Sequence, residues 1–69
     1  MKRYAIVIEQ SPTSYGAYVP DLPGCVAVSE TADEVKVLIR EAIKFYLEGM
    51  RDSGKPIPEP TSLMAYVAV

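Results

Sequence analysis

YGAYVPDLPG, residues 15–24, sets a strand against a stiff corner. Alternation places Tyr15, Ala17 and Val19 on one face of the strand and Gly16 and Tyr18 on the other. Pro20 and Pro23 end backbone pairing, because neither carries an N–H donor. Gly24 can take the positive φ that a sharp return needs. A plain connection requires only two or three turn residues, so a corner this stiff reads as a surface held for recognition. The same ten residues also read as a strand end that is simply well punctuated.

Working outward, Arg3–Glu9 (RYAIVIE) alternates Tyr4, Ile6 and Ile8 against Ala5 and Val7, which predicts a first strand. Gln10–Ser14, with its Ser-Pro pair, is the hairpin loop that joins it to Tyr15–Val19. Beyond the corner, Cys25–Ser29 (CVAVS) predicts a short third strand. Thr31-Ala32-Asp33-Glu34 then fits a capping box: the Thr31 hydroxyl accepts the amide three residues on, and Glu34 reaches back. Gly54 and Pro56 are the expected stop. Between them Val35, Leu38, Ile39, Ala42, Ile43, Tyr46 and Met50 form one apolar stripe, as in a helix laid on a sheet. Lys36, Arg40 and Lys44 make a row on the polar side that reads as a solvated face rather than an anion patch. Lys55–Thr61 (KPIPEPT) is a stiff connector, and Ser62–Val69 (SLMAYVAV) alternates as a last strand.

The expected fold is therefore α+β, two-layered, in the order β-β-β-α-β within a single domain, residues 1–69. A right-handed crossover places the fourth strand parallel to the first, giving the sheet order 3-2-1-4 with the helix on one face. That order is the opening part of a ribonuclease H-like fold. One helix covers one face, yet both faces of the strands are apolar, so a second subunit or a partner is expected on the other.

Size points the same way. A chain of 69 residues buries only about 60% of its unfolded surface, which leaves its own core marginal. Disulfides cannot help, because Cys25 is the single cysteine, and with no histidine a structural zinc site has no ligand set. A homo-oligomer, dimer or tetramer, is the remaining expectation. The unpaired cysteine and the lack of a signal or membrane-spanning run predict a cytoplasmic protein. Seven Lys and Arg against nine Asp and Glu give a net charge of −2, poor for binding nucleic acid directly but suited to a basic partner.

Catalytic constellations are sparse. Without histidine there is no Ser–His or Cys–His pair. Cys25 reads as a small buried apolar residue, with a lone redox thiol as the alternative. A reduced two-metal nuclease would need converging carboxylates; Glu9 and Glu41 are the candidates, with Glu48, and the last strand offers none. No cofactor and no metal are expected, and the chain reads as a non-enzyme. An oligomeric structural or small-ligand module is a further reading.

Four stretches together carry a family likeness: Tyr4–Glu9 (YAIVIE), Tyr15–Cys25 (YGAYVPDLPGC), the helix opening Thr31–Glu34, and Gly54–Pro60 (GKPIPEP). The chain resembles the HicB antitoxins of toxin–antitoxin pairs, in their partial ribonuclease H-like domain. The resemblance implies a non-catalytic inhibitor of a HicA-like toxin, a small basic RNA-cleaving protein with a double-stranded-RNA-binding-like fold. The sequence ends at Val69, so the likeness is to a short form without the family's C-terminal DNA-binding domain, and operator binding is not carried over. Tyr18, Asp21 and Leu22 are the candidate contacts, with Pro20, Pro23 and Gly24 holding the loop.

Overall fold

In the computed structural model, which describes residues 2–69, the corner is two β-turns in succession. The Leu22 N–H donates to the Val19 carbonyl at 3.0 Å, and the Cys25 N–H donates to the Leu22 carbonyl at 3.1 Å. Each turn carries a proline at its second position, where φ is preset, and Gly24 takes φ +83° in the second. The Val19 N–H donates to the Cys25 carbonyl at 3.3 Å and closes the base.

The corner joins two strands of a three-stranded antiparallel sheet. β1 is Val7–Gln10, β2 is Tyr15–Tyr18 and β3 is Val26–Ser29, in the spatial order β1-β2-β3. Ile8 pairs with Ala17 and Ala17 with Ala27, so this row shares one face. Val7, Tyr18 and Val26 form the neighbouring row on the other. At the hairpin, the Ser11 N–H donates to the Ser14 carbonyl at 2.8 Å, and the Ser14 N–H donates to the Ser11 Oγ at 3.1 Å.

α1 spans Ala32–Asp52. Thr31 caps it in extended backbone, its Oγ1 accepting from the Glu34 N–H at 3.1 Å. The box is half formed: among the described residues no bond returns from the Glu34 carboxylate to the Thr31 amide. The far end closes as a Schellman motif, with Gly54 at φ +71°. There the Lys55 N–H donates to the Met50 carbonyl at 2.9 Å, and the Gly54 N–H donates to the Arg51 carbonyl at 3.1 Å.

The helix lies on the Ile8–Ala17–Ala27 face, over β2 and β3. Ala17, Val19, Leu22, Cys25, Val35 and Ile39 form the buried core, flanked by Tyr4, Ile6, Ala42, Ile43 and Tyr46. Leu22, Val35 and Ile39 are the largest fully buried side chains, each stabilising the fold by about 1.5–3 kcal/mol. Leu38, expected in the stripe, is 42% exposed.

The expected sheet of four strands is corrected to three: Ser62–Val69 forms no strand, so the order 3-2-1-4 reduces to β3-β2-β1. Two physical reasons act together. The first strand begins at Val7 and not at Arg3, because its neighbour β2 stops before Pro20 and offers no further donor. Bonds at the corner then fix the start of the tail, so that Ser62–Met64 lie beside Arg3–Ile6 without forming a ladder with them.

Candidate partner-binding corner

Asp21 occupies the third position of the first turn, and its carboxylate faces the distant end of the chain. Its Oδ2 accepts from the Thr61 and Ser62 backbone N–H groups, both at 3.0 Å. Its Oδ1 accepts from the Thr61 hydroxyl at 3.1 Å and the Ser62 hydroxyl at 2.9 Å. Four donors on one carboxylate make a clamp between the corner and the connector. The Ser62 backbone amide does most to hold the Asp21 carboxyl below its ordinary value; partial desolvation opposes it, and the Ser62 hydroxyl and Thr61 groups add to the lowering.

Leu22 sits between the two turns and is fully buried against the core. Its surface is spent inside the protein, so it holds the corner down and presents nothing outward. Pro20, Pro23 and Gly24 are exposed along the rim. Tyr18, at the end of β2, is 40% exposed on the face away from α1. That face also carries Val26 at 62% and Val28 at 66% exposure. The surface at the corner is thus Tyr18, the two prolines and Gly24, backed by an apolar strip on β3.

The connector is fastened at two further points. The Tyr4 hydroxyl donates to the Pro58 carbonyl, and the Lys2 ammonium meets the Glu59 carboxylate at 2.6 Å. Thr61, Ser62, Tyr4 and Pro58 went unforeseen in the sequence, since their partners lie 40 to 54 residues away. A Ser/Thr pair at the end of a proline run was the only visible sign.

The carboxylates considered for metal chemistry do not converge. Glu9 follows Val7 on the open face, whereas Glu41 stands on α1 beside Lys44, across the sheet. Among the described residues no group of three potential ligands is close enough to hold a metal ion. Cys25 is buried, and desolvation pushes its thiol up, which keeps it protonated and unreactive.

A family model described as the HicB-like antitoxin of bacterial toxin–antitoxin systems matches residues 4–69. The chain belongs to that family. Three relatives are similar to this HicB-like chain. An uncharacterised 14.9 kDa protein of the rep–hol intergenic region of Haemophilus phage HP1 is 34% identical over 64 residues, which are 93% of this chain and 48% of the phage protein. The chain therefore spans about half the length of that relative. A UPF0150 protein of Thermoplasma acidophilum is 34% identical over 58 residues, 84% of each chain. Another, from Archaeoglobus fulgidus, is 43% identical over 47 residues, 67% of this chain and 68% of its own. The matched region of the HicB-like family includes the whole corner, the helix and the clamped connector. No helix among the described residues is long and apolar enough to cross a membrane.

Proposed function

We propose that this HicB-like chain is an antitoxin that binds and neutralises a small basic RNA-cleaving toxin of the HicA type, by protein contact and without catalysis of its own. Family membership over residues 4–69 is the observation that carries this reading. The geometry supports it: a corner braced by two prolines, a buried leucine and a clamped aspartate is preorganised, so little ordering cost falls on binding. Beside the corner, Tyr18, Val26 and Val28 offer an apolar strip that no element among the described residues covers.

In this reading Tyr18, Pro20, Pro23 and Gly24 touch the toxin, while Asp21 and Leu22 keep the rim in shape. Aromatic anchors on a rigid rim are the usual source of binding energy. The net charge of −2 favours approach of a basic partner over nucleic acid. The complex belongs in the cytoplasm, where the toxin's RNA lies.

The test is a cleavage assay with the protein encoded beside this one. Purified neighbour cuts RNA, wild-type chain stops the cutting, and Tyr18→Ala raises the amount of chain needed by tenfold or more, as loss of an aromatic anchor of about 1.4 kcal/mol or greater requires. Undiminished cutting in the presence of excess wild-type chain defeats the reading.

A further inference from the structure

Residues 2–6 run beside α1, and between them lies a groove of about 530 Å³, a size usual for small-molecule sites. Ile39, Ile43 and Leu47 stand at successive turns of α1 and form one wall, about 12 Å long at the helical rise. Tyr4 and Ile6 form the other wall, joined by Ile57 of the connector. The Tyr4 hydroxyl on the Pro58 carbonyl and the Lys2–Glu59 pair hold that connector in place.

Charge around this trough is one-sided. Lys2, Lys36, Arg40 and Lys44, four of the chain's seven Lys and Arg, line it, and no acidic side chain does. A chain of net charge −2 thus gathers most of its cations at one apolar hollow. Lys2 is paired with Glu59, and Lys44 stands 4.0 Å from Glu41. Lys36 and Arg40 have no ion-pair partner among the described residues. Side chains four apart on a helix start about 5–6 Å from each other, near enough to share one small anionic head. From spacing alone this row reads as a solvated face; the fold sets it along aliphatic surface.

We propose that the groove binds a single-chain aliphatic carboxylate, free in solution. Its carboxylate meets Lys36 and Arg40, and its alkyl tail lies along Ile39, Ile43 and Leu47. The Arg40 guanidinium offers a planar fork to a carboxylate, and Lys36 adds a point charge beside it. Burial of the tail drives binding, while the two cations fix its direction. A basic protein is repelled from the same walls. Tyr18 and Val26 lie on the sheet face away from α1, so this inference stands independently of the antitoxin reading.

Decanoate below its micelle concentration, titrated into the full chain and followed by amide and methyl NMR, is the test. Saturable shifts at Tyr4, Ile6, Ile39, Ile43 and Leu47 are expected, with an unchanged helix signal by circular dichroism. Acetate keeps the charge without the tail, and decyltrimethylammonium keeps the tail with the opposite charge. Each is expected to bind more weakly than decanoate by about tenfold or more. The double variant Lys36→Glu, Arg40→Glu alters exposed positions only and is expected to weaken decanoate by about tenfold or more. The milder pair Lys36→Gln, Arg40→Gln is expected to move affinity in the same direction. Shifts that never saturate or that spread away from the groove overturn the proposal, as does equal binding of decyltrimethylammonium. Variants that bind decanoate like wild type overturn it too. A groove that responds only to phosphatidylglycerol vesicles, only to an acidic peptide, or only to a second copy of the chain does the same.

Discussion

Asp21 and Leu22 are neighbours in the corner with opposite duties, one holding the tail and the other the core. Asp21→Asn keeps the shape but gives up the charge that four donors converge on. Faster hydrogen exchange at the Thr61 and Ser62 amides is the expected outcome, with the sheet and helix amides unchanged. The pH dependence has a definite sign. The folded-state value of Asp21 lies below its ordinary 3.8, so the clamp contributes in full above 3.8. The contribution fades as pH falls below that value and is gone beneath the folded pKa. Tail amides that exchange at the same protection across acid titration contradict this. Leu22→Ala empties a fully buried site and is expected to cost about 2–5 kcal/mol in chemical denaturation. Gly24→Ala meets no atom within 4 Å, yet its φ of +83° is strained for alanine, so about 1–2 kcal/mol is expected from backbone alone.

At the scale of elements, α1 depends on its ends as well as its stripe. Only Val35 and Ile39 of the helix are fully buried, so its terminal bonds carry a larger share than in a long buried helix. Thr31→Ala removes the acceptor for the Glu34 N–H. The expected loss is about 1 kcal/mol, or roughly 4–8 °C in Tm for a domain of this size. A thermal melt that does not move would show the cap to be idle. The sheet is limited in the same local way. β2 ends where Pro20 begins, which strips the residues before Val7 of a ladder partner and leaves them to bind the connector through Tyr4.

The whole molecule is a two-layer sandwich with one slice missing. One face of the sheet meets α1, and the other shows Tyr18, Val26 and Val28 to solvent. Replacing Val26 and Val28 together by lysine alters exposed positions only, so the melting curve is expected to stay within about 0.5 kcal/mol of wild type. Neutralisation of a basic toxin is expected to fall sharply, because two cations now face it. Retained neutralisation by the double variant would move the toxin contact off this face.

Much of this was written in short-range pattern. The alternation of Tyr15–Val19, the Pro-Asp-Leu-Pro-Gly corner, the Thr31 cap, the Gly54 stop and the apolar stripe each depend on residues a few positions apart, where sterics and local bonds decide. An α+β fold with a helix on one face of a meander followed from them. The tertiary structure decided what distance hides. Whether Asp21 met solvent or Thr61 and Ser62 turned on contacts about 40 residues apart, and whether Leu22 faced a partner or the core turned on how the helix packs over the sheet. The last segment has the alternation of a strand, but a strand exists only where an edge lies within reach, and alternation carries no information about where the chain has been tied.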